Sequence, residues 1–452
     1  MKIISATASE FLAPQEAFLT SNILQSHQIG ELQEERNHYN KVERLLFLED
    51  EQVIGLAVVD YRKKWKYFQE ALVIQGPVLD YSNPSLVVQA IQSLEHHVRQ
   101  QQAISLMCHP YLIDQRKDEN LAIISQNESQ EIADVFRRLS YNRYFDSDYL
   151  FNGMMQVFLK DLRPYRNYQE IEASFSNSLR RNIKKYRNSH VKVKELTATE
   201  IPLFYDILQQ TSHRKSFSIQ DLSFFETLKD KLGDQAKFMY AYLDCASYQT
   251  YLKDHINRYQ EEIKDLESKA DSKKRNTAIK NATQQLTSYQ KRWQEFQKLQ
   301  VKTDHLPLSS YLFIDYGDEL LSYFGGNIQE YFIFGGATLI NCDMIRYAKE
   351  SEISYFNFGG TIEVDQSQEG IGNFNYKKQF GGQLVQYLGS FTKPLTLVGK
   401  CLLFMSTTFK KQPHCFYQRC CFLNHLIFVR IIFSIFMRVM NGTKNMVWTS
   451  IN

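Results

Sequence analysis

Residues 248–302 read YQTYLKDHINRYQEEIKDLESKADSKKRNTAIKNATQQLTSYQKRWQEFQKLQVK, and this stretch decides how the rest of the chain is organised. Its apolar side chains recur at intervals of three and four, which places them along one face of each of two helices. They are Leu252, Ile256, Tyr259, Ile263 and Leu266 in the first helix, and Ile279, Ala282, Leu286, Tyr289, Trp293 and Phe296 in the second. Polar residues 271–276 separate the two runs. The pattern predicts an antiparallel coiled-coil hairpin with arms about 30 Å long.

Charge is unevenly distributed along this hairpin. Acidic residues outnumber basic ones in the first arm, whereas the tip and the return arm are cationic from Lys273, Lys274 and Arg275 onward. A cationic rod suits a polyanion such as RNA, because phosphate contacts need no particular base sequence. The alternative is an ordinary solvated face rich in lysine.

Strand and helix patterns lie on both sides of the hairpin. Residues 237–243 alternate like a strand before it, and residues 309–324 read as a strand pair after it. A helix over 338–350 and a strand over 355–358 follow. We therefore predict one sheet that the hairpin interrupts, in a domain made of residues 151–247 and 303–395 with residues 248–302 inserted.

The N-terminal part predicts a separate unit. Residues 45–59 read as strand, turn and strand, residues 84–102 as an amphipathic helix, and residues 104–107 as a short buried strand. This order predicts a first domain over residues 1–150 and an α/β (α+β) fold class for the chain.

The last part of the chain differs in composition. Residues 396–452 contain four of the seven cysteines and a mostly apolar run after a predicted C-terminal helix. Three interpretations stay open for this atypical tail: a helix on a membrane surface, a poor transmembrane segment, or the product of an altered reading frame.

Composition argues against a disordered chain, a metal-binding protein and a secreted protein. The 452 residues are 43% hydrophobic, enough for real cores, and the net charge of +3 means that any attraction to nucleic acid or membrane comes from local patches. No CxxC pair or metal-ligand spacing occurs, so we expect no metal site and a reducing compartment. The N-terminus lacks the apolar run of a signal peptide, which predicts a cytoplasmic protein.

A second cationic segment precedes the hairpin. Residues 180–187 carry five cations, Arg180, Arg181, Lys184, Lys185 and Arg187. A single helix cannot neutralise them all, so the segment either stays solvated or meets phosphate.

Four segments carry a resemblance to a known family. Residues 22–26 (NILQS) look like the family's "LQS" segment, residues 179–185 (LRRNIKK) like its "LRxNIKK" helix, and residues 211–217 like its "TxxRxxF" segment. Residues 376–389 are similar to its C-terminal "FKxxFGG…YxGE" motif. Over roughly residues 20–395, the chain resembles the Fem-type aminoacyltransferases, which build peptidoglycan cross-bridges.

The resemblance implies a fold and an activity. The family combines two acetyltransferase-like (GNAT) domains with a coiled-coil arm in the second. It moves an amino acid, here Ala, Ser or Gly, from aminoacyl-tRNA onto an amine of lipid II or of a UDP-linked muramyl peptide, without a cofactor. A lipid-linked acceptor would bring the enzyme to the inner face of the cytoplasmic membrane as a peripheral protein. The tRNA accounts for the cationic segments, with Arg180, Arg181, Lys184, Lys185, Lys273, Lys274 and Arg275 as the candidate contacts.

The resemblance also assigns site residues. Lys377 matches the lysine of the "FK" pair and is the catalytic candidate, a cation that stabilises the oxyanion or the leaving ribose oxygen. A surface lysine beside a glycine turn is the alternative. Arg214 is the candidate for binding the precursor's pyrophosphate, although it could simply cap a helix. Tyr376, in the same motif as Lys377, is a further candidate for substrate binding.

The sequence departs from the family pattern at two places, both in the part of the site that is expected to bind the acceptor substrate. Ile29 and Gln33 stand where the family often has Trp and Lys, so Gln33 is the candidate contact there. His109-Pro110 stands where many members have Asp-Pro. A histidine with its ordinary pKa of about 6.5 could accept a proton from the attacking ammonium, and a structural histidine is the alternative.

Two other functions remain as alternatives. An acyl-CoA-dependent N-acyltransferase needs a glycine-rich turn at a helix start, and Gly335-Gly336 comes nearest to one. A non-catalytic RNA-binding adaptor would use the hairpin only as a docking arm. Loss of activity on removing the hairpin would count against the first alternative.

Overall fold

The computed structural model describes residues 1–18, 22–36, 41–64, 68–145, 155–215, 218–301, 303–361 and 368–409. The described strands are β1 (Lys2–Ser5), β2 (Lys41–Glu49), β3 (Gln52–Lys64), β4 (Phe68–Val73), β5 (Val78–Leu79), β6 (Ala103–Cys108), β7 (Ile113–Lys117), β8 (Ile123–Gln126), β9 (Asn142–Tyr144), β10 (Gln156–Asp161), β11 (Val191–Glu195), β12 (Ala236–Asp244), β13 (His305–Tyr316), β14 (Glu319–Asn327), β15 (Tyr355–Gly360), β16 (Gln383–Tyr387) and β17 (Ser390–Pro394). The described α-helices are α1 (Ala8–Ala17), α2 (His27–Glu35), α3 (Pro84–Gln100), α4 (Gln130–Arg138), α5 (Tyr168–Ala173), α6 (Asn177–Arg187), α7 (Ile201–Lys215), α8 (Leu222–Leu232), α9 (Cys245–Glu267), α10 (Lys273–Lys298), α11 (Gly336–Glu350), α12 (Gln368–Lys377) and α13 (Leu397–Phe409).

The strands form two sheets. The first has the order β1-β2-β3-β4-β6-β17-β9, with β5 paired to β3, and the second has the order β11-β12-β13-β14-β15-β10-β16-β7-β8. The mixed α/β class predicted from the sequence is therefore confirmed. Both sheets belong to one compact unit, Met1–Leu395. The tail predicted from the sequence is described only as far as Phe409, and residues 410–452 lie outside the described part of the chain.

The two sheets exchange strands. β7 and β8 come from the N-terminal part of the chain but extend the second sheet through the β16–β7 pair. β17 comes from the C-terminal part but lies between β6 and β9 of the first sheet. The domain limits drawn from the sequence stay a prediction, and the sheets do not follow them at these strands.

The first sheet is covered by α3 and α4. Asn83 caps α3 by accepting the Leu86 N–H, and Pro84 occupies the first turn, where its missing N–H costs nothing. Of the apolar residues that the sequence pattern places on one face of α3, Ala90, Ile91, Leu94 and Val98 are fully covered and pack into one core with β3, β4 and β6, whereas Leu86 is half-buried. The strand and helix patterns of residues 45–107 predicted these elements correctly.

The hairpin leaves the second sheet and returns to it between two neighbouring strands. β12 leads into α9, α10 leads back to β13, and β12 and β13 pair with each other. Asp244 caps α9 by accepting the Ser247 N–H, and Ser272 caps α10 by accepting the Arg275 N–H. At 23 and 26 residues, the helices extend about 35 Å and about 39 Å.

Side-chain contacts show that α9 and α10 run antiparallel. Tyr248 of α9 meets Phe296 of α10 near the sheet, and Tyr251 meets Tyr289 one turn further out. The Arg275 Nε donates to the Leu266 carbonyl at the far end, 2.8 Å away. The apolar residues predicted to form the seam are buried or half-buried along both helices.

Candidate functional site

Lys377 is a buried lysine at the C-terminal end of α12. Its side chain is only 6% exposed, and its Nζ donates to the Gly359 carbonyl at 2.9 Å and the Gly360 carbonyl at 2.6 Å. A weaker contact, 3.4 Å, reaches the Thr361 hydroxyl. Burial lowers the pKa of Lys377 to about 7, and the nearby charge of Lys215 acts in the same direction. This amine can therefore carry or release a proton near neutral pH.

The acceptors around Lys377 belong to the end of β15. Gly359 adopts a φ of +75°, which favours glycine, and both it and Gly360 accept from the same ammonium. The Asn357 Oδ1 accepts the Gly359 N–H at 2.8 Å, which fixes the turn. The site is thus built by a strand end that turns its carbonyls onto one cation.

Arg214 lies on the last turn of α7, beside this site. Its Nη2 is 3.5 Å from the Asn327 carbonyl, and its guanidinium lies 5.7 Å from the Phe332 ring centroid. The Asn327 N–H donates to the Thr211 hydroxyl at 2.8 Å, which ties α7 to the end of β14. Arg214 is exposed on the last turn of α7, where its guanidinium donates to the end of β14.

Tyr376 precedes Lys377 on α12 and is half-buried. Its hydroxyl accepts from the Asn341 Nδ2 at 3.1 Å, and burial raises its pKa well above the ordinary value. The nearby Tyr311 also raises this pKa through its electrostatic interaction with Tyr376. The Tyr311 hydroxyl accepts a hydrogen bond from the Asn327 Nδ2 at 2.8 Å. The structure therefore places Lys377, Tyr376 and Arg214 at the same end of the second sheet, along with Lys215 and Asn327, which the sequence did not single out.

His109 and Gln33 lie in the first sheet and its cover. His109 has no exposed surface, neither ring nitrogen has a partner among the described residues, and burial lowers its pKa to about 3. A neutral, fully enclosed imidazole favours the structural interpretation over proton transfer to a bound substrate. Gln33 is half-buried on α2, and its amide hydrogen-bonds the buried carboxyl of Asp60.

Glu319 is a half-buried acid that the sequence analysis missed. Its carboxyl accepts from the Tyr111 hydroxyl at 2.9 Å and from the Asn357 Nδ2 at 3.0 Å. Tyr387 donates to the Tyr111 hydroxyl at 2.9 Å. Burial raises the pKa of Glu319 to about 7. Asn357 thus bridges Glu319 and the turn that holds Lys377.

A small cavity lies beside this network. Tyr111, Asn357 and Tyr387 line it together with Asn22 and Gln75, and its volume of about 20 Å³ suits a single water molecule. The Gln75 Oε1 is buried and lacks a partner among the described residues. Polar groups of this kind need a water to satisfy them.

A larger cavity of about 530 Å³ opens at the other end of β10. Three cationic side chains line it, Arg116, Lys160 and Arg163. Arg116 pairs with Glu128 and Arg163 with Asp161, which leaves Lys160 without a carboxylate among the described residues. The Lys160 Nζ instead donates to the Phe380 carbonyl at 2.8 Å, and burial lowers its pKa to about 8.

The predicted tRNA contacts are surface residues on two elements. Arg180, Arg181, Lys184 and Lys185 are exposed on α6, whereas the neighbouring Arg187 is paired with Glu172 at 2.8 Å. At the hairpin tip, Lys273 and Lys274 are exposed. Arg275 differs, because it donates to the carbonyls of Leu266 and Glu267 and closes the end of α9.

None of the helices in the described part of the chain has both the length and the hydropathy that crossing a membrane requires.

Comparison with known proteins places this site in a family. The model of the FemAB family matches residues 6–407. Aminoacyltransferase FemA from Staphylococcus epidermidis is 28% identical over 357 residues, 76% of this chain and 85% of the relative. FemA from Staphylococcus aureus is 26% identical over 408 residues, 87% of this chain and 96% of the relative. A crystal structure of FemX superposes with a TM-score of 0.69 at 19% identity, over 90% of this chain and 99% of that one, which shows a shared fold. The resemblance read from the four sequence segments is confirmed, and the chain belongs to the FemAB family.

Proposed function

We infer that the chain is an aminoacyltransferase that moves an amino acid from aminoacyl-tRNA onto an amine of a peptidoglycan precursor and so builds part of the interpeptide bridge. The observation that supports this function best is Lys377, a buried amine at the same end of the second sheet as the exposed Arg214. The name of the staphylococcal relatives, aminoacyltransferase, supports the reaction class.

The reaction requires the protein to position the two substrates and to stabilise the charge that develops on oxygen. An aminoacyl ester is already activated, so a neutral amine held near its carbonyl attacks directly. A C–N bond forms, the ester C–O bond breaks, the amine loses a proton, and the ribose oxygen of the tRNA gains one. Lys377 stabilises the developing oxyanion or the leaving ribose oxygen, and the weak contact to Thr361 is the one it gives up most easily.

Arg214 binds the pyrophosphate of the acceptor in this proposal. Its exposed guanidinium is pre-positioned by Phe332 and Asn327. A bidentate arginine suits the oxygens of a pyrophosphate, whether lipid II or a UDP-linked muramyl peptide supplies it. Gln33 and His109 lie further into the first sheet and act there through packing rather than by contact with the reacting atoms.

The cationic surfaces bind the tRNA. Lys273 and Lys274 lie at the end of a hairpin about 35 Å long, and the α6 cations lie on a helix that packs against α11. We assign the hairpin a coiled-coil structure and each sheet an acetyltransferase-like fold. Phosphate contacts of this kind weaken steeply as salt is raised.

Packing at Gly335-Gly336 weighs against the acyl-CoA alternative. A pyrophosphate would need open space at the start of α11, but the Tyr186 ring lies against Gly335, and Gly336 is buried against Leu308. This helix start is therefore filled by side chains of the chain itself.

The test is a transfer assay with radiolabelled Ala-, Ser- and Gly-tRNA and with lipid-linked and UDP-linked acceptors. We expect label to move onto one acceptor, and Lys377→Ala to lower the rate by at least about a hundredfold with tRNA affinity unchanged. Lys378→Ala is the matched control, because Lys378 is the next residue and lies over the Phe374 ring. If the wild-type protein binds tRNA but transfers nothing, the RNA-binding adaptor replaces the enzyme as the better explanation.

A further inference from the structure

A short apolar turn projects beside Arg214. The 329–334 turn (Gln329–Phe334) is a 3₁₀ helix that joins β14 to α11. Phe332 and Ile333 are 51% and 54% exposed, although they are consecutive large hydrophobic residues. Isolated exposed hydrophobic residues are common on soluble surfaces, but adjacent pairs next to a ligand-binding cation are a more informative signal.

The turn is anchored and holds these two side chains outward. Phe334, the next residue, is 3% exposed, and its ring lies 5.6 Å from that of Tyr248 at the base of α9. The Ile328 N–H donates to the Leu308 carbonyl at 3.0 Å on the other side of the turn. Because both ends are fixed, Phe332 and Ile333 cannot turn into the core without breaking these contacts.

Cationic groups flank the turn on two sides. Arg214 lies over Phe332, and Lys215 follows it on the exposed end of α7. On the other side, Tyr186 of α6 packs against Gly335 directly after the turn, which brings the exposed cations of α6 to this part of the surface. Glu330 is the one acidic residue within the turn.

We propose that the 329–334 turn is a membrane-contacting surface, in which Phe332 and Ile333 enter the acyl-chain boundary of an anionic bilayer while the cations of α6 and α7 meet the lipid headgroups. Aromatic and aliphatic residues framed by lysine and arginine are the chemistry that binds this interface. The proposal rests on the proposed function and makes it more specific. Arg214 then lies at headgroup depth, where the pyrophosphate of a lipid-linked precursor is found, so the acceptor is lipid-linked.

The chain provides a matched control for exposed hydrophobic surface. Ile123 and Ile124 are also consecutive and are 57% and 51% exposed, but they lie on β8, the edge strand of the second sheet, away from the α6 and α7 cations. Phe332→Ser/Ile333→Ser and Ile123→Ser/Ile124→Ser therefore remove comparable apolar area from two different places. Ile333→Ser alone leaves the contact between Phe332 and Arg214 in place.

The experiment is flotation of the full chain with vesicles of phosphatidylglycerol and phosphatidylcholine, and with vesicles of phosphatidylcholine alone. We expect the wild-type protein to float with the anionic vesicles and to do so less at high salt. Phe332→Ser/Ile333→Ser should weaken this binding by about tenfold, and Ile333→Ser by about threefold, whereas Ile123→Ser/Ile124→Ser should stay within about twofold of wild type. Equal flotation of the two double variants would overturn the proposal.

A second measurement separates the bilayer from other partners of the turn. Transfer to lipid-linked acceptor embedded in vesicles should fall by about tenfold in Phe332→Ser/Ile333→Ser, while transfer to a water-soluble, short-chain analogue of that acceptor stays within about twofold. Equal loss with the embedded and the soluble acceptor would mean that the turn contacts the precursor or the tRNA instead, and would overturn the membrane assignment. If the wild-type protein transfers nothing, the proposed function fails, but flotation still decides whether this surface binds membranes.

Discussion

The charge state of Glu319 should affect stability between about pH 4.5 and about pH 7. The folded protein raises its pKa from 4.5 to about 7, so the folded state binds a proton that the unfolded chain releases between these values. Stability contributed by the neutral carboxyl is therefore complete below pH 4.5 and is lost as pH rises to about 7. The shift corresponds to about 3 kcal/mol. We expect Glu319→Gln to remove about this much of the stability change between about pH 4.5 and about pH 8, measured by urea denaturation.

The control for this prediction is Glu330→Gln, because Glu330 is exposed and should leave the pH dependence as it is in the wild type. Equal slopes of stability against pH in Glu319→Gln and the wild type would contradict the prediction. The Glu319→Gln variant also tests the bridge through Asn357, since the amide that replaces the carboxyl can keep one hydrogen bond to Tyr111 while the charge is lost.

Lys215 contributes to the lowered pKa of Lys377, after the larger effect of burial. Its positive charge disfavours the protonated form of Lys377 and, together with the larger effect of burial, holds that pKa at about 7. In the proposed mechanism it is the cationic form that stabilises charge, so transfer should decline as pH rises through this value. We expect Lys215→Gln to move the declining limb of the pH–rate profile to higher pH. Lys378→Gln should leave the limb in place, and an unmoved limb in Lys215→Gln would show that Lys215 has no electrostatic role.

At the scale of elements, Gly335 joins the 329–334 turn to α11. It adopts a φ of +69°, and a Cβ at this position would overlap the Tyr186 ring of α6. Gly233 ends α8 with a φ of +52°, but nothing lies within 4 Å of its Cβ position. We expect Gly233→Ala to cost about 1 kcal/mol from backbone strain, and Gly335→Ala to cost about 3 kcal/mol because α6 must also move. Equal losses in urea denaturation would mean that Tyr186 moves aside freely.

Elements with a strong local pattern could be predicted from the sequence. The helix predicted over 338–350 is α11 (Gly336–Glu350), and the apolar spacing of α9 and α10 identified both arms of the hairpin. β7 could not be predicted, because its five residues gain their partners from β16, more than 260 residues later in the chain. β7 is therefore stabilised by its pairing with β16, and its own sequence has no alternation of apolar and polar residues that would predict a strand.

The residues of the candidate site were also only partly predictable from the sequence. Lys377 and Arg214 were found through sequence motifs, and the structure brings them to one end of the second sheet. Glu319 and Lys160 were missed because charged residues ordinarily predict exposure. Their burial results from Tyr111, Asn357 and Phe380, which lie far from them along the chain.

At the scale of the whole molecule, strand exchange couples the two sheets. Only Leu388 and Gly389 separate β16 of the second sheet from β17 of the first. Phe391 of β17 is 1% exposed and stacks on Phe136 with ring centroids 4.3 Å apart. Destabilising β17 should therefore destabilise both sheets, so we expect the unit of residues 1–395 to unfold in a single cooperative transition.

We expect Phe391→Ala to lower the free energy of unfolding by about 3–5 kcal/mol, because it leaves a cavity in the core of the first sheet. Hydrogen exchange at rising urea should show β6 and β10 losing protection together and at a lower urea concentration than in the wild type. Leu203→Ala, at a residue 40% exposed on α7, should change the unfolding free energy by no more than about 0.5 kcal/mol. Earlier loss in β6 while β10 stays protected would show that the sheets unfold separately, and strand exchange would then join two independent folding units rather than create one.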